Sequence, residues 1–159
     1  MCGIGGSYNF GPAAGPVDIP YLRRLREPMS HRGPDGAGEW VSDDARVGLC
    51  HQRLAIIDLS EAAGQPMSDS SGTLTISFNG EIYNHVEIRA ELEQLGHVRW
   101  NTDHSDTEVV LNAFLEWGID CLKRFRGMFA FALWDSRSGD LWLVRDRIGI
   151  KPLYYTTLP

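Results

Sequence analysis

Apolar residues recur along the first half of the chain at two spacings. Ile19, Leu22, Leu25 and Met29 fall three or four apart, the period of one helix face, and predict an amphipathic helix over Asp18–Ser30. Around it the pattern shortens. Residues 2–10, with a glycine-rich start, read as a strand, and Gly38–Ser42, Val47–His51 and Leu54–Asp58 read as three more. Gly11–Pro16, His31–Gly36 and residues 59–73 are rich in Gly, Pro, Ser and Asp and predict loops. Leu74–Phe78 is a further strand, which Asn79-Gly80 would end. Two helices are announced by their starts: Asn84 with Glu87, and Ser105 with Glu108, have capping-box spacing. They predict helices over Val86–Leu95, stopped by Gly96, and over Asp106–Trp117, with Val109, Val110, Ala113, Phe114 and Trp117 buried. A short helical piece is expected near Asp120–Phe125. Gly127–Asp135 is apolar at nearly every position, the pattern of a strand covered on both faces. Ser136–Gly139 turns the chain back into Asp140–Arg145, and Leu153–Tyr155 reads as a last strand.

Strands in hairpins with separate helices predict an α+β domain rather than a βαβ series. A doubly covered strand needs apolar neighbours above and below, which stacked sheets with helices outside would provide. The length, 159 residues, suits one compact domain. A formal charge of −6 speaks against a broad nucleic-acid or anionic-membrane surface, and no apolar run approaches a membrane span. The N-terminus lacks the basic flank and apolar stretch of a secretory signal. Cys2, Cys50 and Cys121 are odd in number and lack paired spacing, so free thiols in a reducing, cytoplasmic setting are expected. No CxxC or HExxH occurs, Cys50 and His51 should point to opposite faces of a strand, and no metal site is expected.

Position 2 is the first chemical signal. Once Met1 is removed, Cys2 carries a thiol and a free α-amino group on one residue. A free thiol titrates near 8.5 and an α-amine at about 7.7–8.0, so the amine can take the thiol proton and return one to a leaving group. Nucleophile and base would share a residue. A cysteine at a strand's end is the plain alternative. An acyl-transfer site also needs donors for an oxyanion, which the Asn79 side-chain amide and the Gly80 N–H could supply. Asn-Gly is equally a hairpin-turn signal. Arg53 can fork onto a carboxylate, and Asp106 can pair with an ammonium. Read alone, the first is a surface charge and the second an acidic residue favouring a helix N-terminus.

Six motifs then occur in order: MCGIGG, HRGPDG, HQRLAIIDL, FNGEIYNH, SDTE and RDRIGIKPLYY. Together they resemble the glutamine amidotransferase domain of glutamine-hydrolysing asparagine synthetases, a class II amidotransferase of the N-terminal-nucleophile hydrolase superfamily. The resemblance spans essentially the whole chain. It implies a four-layer αββα sandwich of two mainly antiparallel sheets flanked by helices. It implies Cys2 as nucleophile, Asn79 and Gly80 as oxyanion hole, Arg53 on the substrate α-carboxylate, and Glu81 and Asp106 around its α-amino group. His31, Arg32 and Asp35 would border the site, with a structural turn as an equal reading. The RDRIGIKPLYY tail would be structural.

The resemblance further implies L-glutamine as substrate, released as glutamate and ammonia through a Cys2 thioester. The ammonia would pass to a C-terminal synthetase domain or another accepting partner. No SGGxDS phosphate loop or Walker motif occurs here, so ATP and Mg are expected only in that separate domain and no cofactor in this one. Another acceptor, or a non-catalytic glutamine-sensing module, stands as the alternative. A homodimer is an open expectation.

Overall fold

The computed structural model describes residues 1–11, 14–96 and 99–158, so part of the expected Gly11–Pro16 loop lies outside the described residues. Strands β1 (Gly3–Tyr8) and β2 (Gly36–Val41) pair antiparallel on either side of β3 (Val47–Arg53). A second antiparallel sheet has the order β4 (Met67–Ser68), β5 (Leu74–Ile82), β6 (Gly127–Asp135) and β7 (Asp140–Arg145). Helix α1 (Ile19–Arg26) packs on the first sheet, and α3 (Asp106–Trp117) packs on β5 with α2 (His85–Gln94) beside it. This is the expected αββα sandwich. No helix among the described residues is long and apolar enough to cross a membrane.

Three apolar layers hold it together. Leu22 and Val17 cover Cys50 on the α1 side. Val47 and Leu49 of β3 meet Ala132 and Trp134 of β6 between the sheets. Leu74, Ile76, Phe78, Phe129, Phe131 and Leu133 meet α2 and α3 on the far side. Strand β6 is thus covered on both faces, as its continuous apolar run predicts. Each large apolar side chain it buries contributes about 1.5–3 kcal/mol over leaving it exposed.

Several boundaries differ from the sequence reading. The first helix ends at Arg26 and continues as a 3-10 helix over Glu27–Arg32, where Pro28 removes an N–H from the α-helical ladder. Strand β3 runs on through Gln52 and Arg53, and residues 54–58 are not a strand. Their backbone is held instead by side chains, with Ala55 N–H donating to Asp35 Oδ2 at 2.9 Å. Within the predicted 59–73 loop lie β4 and a 3-10 turn, Glu61–Ala63. Strand β5 does not end at Asn79-Gly80 but continues to Ile82. A Cβ on Gly80 would strike Met128 O and lie 2.7 Å from Phe129 Cα, so glycine here permits strand contact rather than a turn.

Ser105 and Asn84 are the N-caps, but neither side chain makes a cap bond. Glu108 turns away to the Asn101 and Thr102 N–H groups, and Asn84 bonds the Arg126 N–H and Arg124 carbonyl. The helical piece near 120 is a 3-10 helix over Gly118–Lys123. Leu153–Tyr155 is not a strand, and Tyr154 and Tyr155 are exposed.

Two buried polar bonds cross between the sheets. Ser77 Oγ donates to the Cys50 carbonyl at 3.0 Å. His51, fully buried, reaches the Phe78 carbonyl through Nε2, also at 3.0 Å. A carbonyl only accepts, so Nε2 carries the proton. Burial pushes the imidazole down to about 4, opposed by the Phe78 bond and helped by Arg53. The unfolded chain therefore takes up this proton first, and stability falls as pH drops from about 6.5 toward 4. Urea melts at pH 7 and pH 5 should show wild type losing on the order of 2 kcal/mol more than His51→Gln, which has no such titration.

Candidate active site

Strand alternation brings the scattered site residues to one side. Along β3, Val47 and Leu49 face the second sheet, so His51 and Arg53 do too. Along β1, Tyr8 packs its ring against Trp134 of β6, and the same alternation turns Ile4 and Cys2 toward that sheet. The β1–β3 register pairs Gly3 with Gln52, which puts Cys2 beside Arg53 at the strand end. On β5, Ser77 faces β3, so Asn79 projects its amide into the same space between the sheets.

Cys2 is half-buried, and Leu54 holds its sulfur from both sides. The Sγ–H donates to Leu54 O at 3.6 Å and the Leu54 N–H points at Sγ from 3.4 Å. Arg32 fixes the adjoining backbone: its Nε donates to Cys2 O at 3.1 Å, and its own carbonyl accepts from the Met1 α-ammonium at 3.0 Å. Of the HRGPDG loop, Arg32 and Asp35 therefore hold the site's main chain. His31 is exposed and makes no side-chain hydrogen bond among the described residues.

The backbone donor stands on an open edge. In an antiparallel pair the backbone groups of successive residues point alternately toward and away from the neighbour. Strand β4 reaches β5 only at Thr75 and Ile76. Beyond it, the outward N–H of Phe78 goes to Gln65 Oε1 at 2.7 Å, and that of Ile82 to Asp106 Oδ2 at 3.0 Å. By the same alternation the Gly80 N–H points off this edge between them, with no strand opposite. The Asn79 side chain is 5% exposed and makes no hydrogen bond among the described residues. Among the described residues the fully buried polar side-chain atoms without a partner are on His51, Asp58 and Trp100, so the Asn79 amide keeps access to solvent or a ligand.

Arg53 donates from Nη1 to Ser60 O at 2.9 Å and from Nη2 to Asp58 O, which pins residues 54–60 against the site. Two of its five N–H donors are spent there, and the rest of the fork stays free for a carboxylate. Asp106 is buried at 6% exposure, and that burial raises its carboxyl above the usual range. The Ile82 N–H and His85 pull it down, while the Glu81 charge nearby pushes it up. Two carboxylates that raise one another's pKa can share an ammonium between them. A cavity of about 350 Å³ opens beyond Arg53, lined partly by Asp35, Glu39, Glu61 and Gln65. It includes neither Cys2, Asn79 nor Asp106. Gln65 carries no site signal in the sequence, since its task comes from long-range contacts: it accepts from the Phe78 N–H and donates from Nε2 to Thr107 Oγ1 at 3.3 Å.

The chain belongs to the glutamine amidotransferase domain family, which matches it over residues 1–159. Among relatives, it is 45% identical over 159 residues to glutamine-hydrolyzing asparagine synthetase 1 of Bacillus subtilis, covering 99% of this chain and 24% of that one. It is 43% identical over 128 residues to amidase chry2 of Gibberella zeae, covering 80% of this chain and 19% of the other. The chain thus spans about a quarter or less of these relatives. It also shares a fold, at TM-score 0.67 and 19% identity, with the B. subtilis glutamine phosphoribosylpyrophosphate amidotransferase complexed with ADP and GMP, over 86% of this chain and 35% of that one.

Cys50 and Cys121 are fully buried, and burial pushes their thiols up to about 11 and about 12. Brief iodoacetamide treatment of the native protein at pH 8 should therefore modify Cys2 alone, as read by intact mass and peptide mapping.

Proposed function

We propose that this chain is a glutaminase domain that hydrolyses L-glutamine to glutamate and ammonia through a thioester on Cys2. With Met1 removed, the Cys2 α-amine takes the thiol proton and Sγ attacks the side-chain amide carbon. The oxyanion rests on the Asn79 amide and the Gly80 N–H. The C–N bond breaks as the amine passes its proton to nitrogen, and ammonia leaves. Water then attacks the γ-glutamyl thioester, which frees glutamate and restores the thiol. Two moderate barriers replace one high one.

The observation that carries this reading is a pair of donors, Asn79 and Gly80, without a hydrogen-bond partner among the described residues, on the strand that faces the sheet from which Cys2 projects. Each oxyanion donor is worth about 2.7–4 kcal/mol in the transition state. Arg53 takes the α-carboxylate with the free part of its fork, and Asp106 with Glu81 takes the α-ammonium. An arriving ammonium relieves the mutual repulsion of these two carboxylates. These steps use the chain's own residues and water. The ammonia goes to an activated carboxylate on a synthetase domain, where ATP and magnesium belong. The 43% match to an amidase favours, as a second reading, the same amide cleavage serving another end.

Cys2→Ala should lower glutamate release from glutamine by at least about a thousandfold while shifting Tm by less than about 4 °C. Ammonia release at the wild-type rate in that variant would refute the thioester. Asp106→Asn separates binding from stability. A carboxyl raised by burial stabilises the fold only below its unfolded pKa and costs stability above its folded one. At pH 7 the variant, which keeps an oxygen for the Ile82 N–H, should melt no lower than wild type. Its KM for glutamine should rise about tenfold or more, as measured by a glutamate assay.

A further inference from the structure

We propose that His51 is a positioning residue for this reaction: its Nε2–H holds the Phe78 carbonyl and thereby aims the Asn79 and Gly80 donors. The inference rests on the glutaminase reading. His51 stands on β3 two residues before Arg53 and in register with Ile4, two residues after Cys2. Its bond to Phe78 O crosses from the sheet that carries the nucleophile to the strand that carries the donors. The carbonyl it grips belongs to the Phe78–Asn79 peptide, whose planarity passes that orientation directly to the Asn79 Cα.

The surroundings show what the imidazole is for. Gln65 takes the Phe78 N–H from the same open edge, and Asp106 takes the Ile82 N–H four residues on. Gly80 lies between these grips, on a stretch no neighbouring strand holds on that side. The other imidazole nitrogen, Nδ1, is buried without a partner. An apolar residue would avoid that desolvation, so the Phe78 contact is the one interaction that explains a histidine here.

An oxyanion donor works only at about 2.7–3.1 Å from the developing charge, so slack in the strand that carries it costs rate. His51 bonds neither Arg53 nor Asp106, the groups that hold glutamine's two ends, so affinity should be spared. The expected signature is a loss in kcat with little change in KM.

The test compares four forms of the full chain, with Met1 removal confirmed by mass. Glutamine's amide best imitates an Nε2 donor, whereas asparagine is one methylene too short to reach Phe78 O. His51→Gln should keep kcat within about threefold of wild type. His51→Asn and His51→Leu should lose about tenfold or more in kcat, with KM within about threefold. Because Gln and Asn differ only in reach, the pair decides the matter even if the Leu variant folds poorly. Imidazole 15N shifts of wild type at neutral pH should show Nε2 protonated and Nδ1 bare. Equal kcat in His51→Gln and His51→Asn, a loss confined to KM, or a proton on Nδ1 would overturn the proposal. Glutamate release absent from wild type as well would instead overturn the glutaminase reading, and the inference with it.

Discussion

Strand β3 is hydrogen-bonded on both edges, to β1 and to β2, and tied face-on to β5 by the Cys50 carbonyl and His51. The candidate chemistry is assembled around that strand. Its pairing with β1 fixes where Cys2 emerges, its last residue is Arg53, and its inward face bonds the strand that carries Asn79. A slip of one residue in the β1–β3 register would turn Cys2 toward α1 instead of the second sheet. The Gly3 position resists this slip, because a side chain there would run into Met29.

The sandwich leaves the edge of β5 uncovered beyond β4, and the Gly80 N–H points off that stretch. Backbone groups on an open edge must find partners or face solvent. Gln65 and Asp106 satisfy two of them, while Gly80 keeps a free N–H. A backbone donor built this way is part of the sheet and needs no reorganisation when charge develops nearby, which is how fixed donors gain their strength. The edge also explains why β5 must pass through Asn79-Gly80 as a strand, since a turn there would swing both donors off the sheet.

Stability and the proposed function pull apart at Asp106. Its burial disfavours the ionised form in the folded protein, yet an ammonium site needs that charge. A buried carboxyl whose burial outweighs the backbone N–H groups of Ile82 and Thr107 is an expensive choice for a fold and a sensible one for a binding pocket. Arg53 combines the two demands differently: it anchors the loop carbonyls of Asp58 and Ser60, and the proposed function gives the remainder of its fork to a ligand.

The sequence by itself determined the class of fold, β6 and β7 to the residue and the extent of α3. Continuous apolar runs, helical periods and glycine stops act locally, and these are legible along a chain. It misjudged residues 54–58 and the end of β5, because a strand's continuation depends on what lies beside it. Asn-Gly spells a turn in isolation and becomes strand only when β6 packs where a Cβ would be. The capping boxes failed for the same reason: Glu108 found the Asn101 and Thr102 amides, partners that only the folded loop presents. Only tertiary structure decided that Cys2 and Arg53 are neighbours, that the Gly80 N–H has no partner among the described residues, and that His51 and Gln65 grip Phe78. Such facts are set by register and by the alternation of strand faces across distant segments, and no spacing within one segment records them.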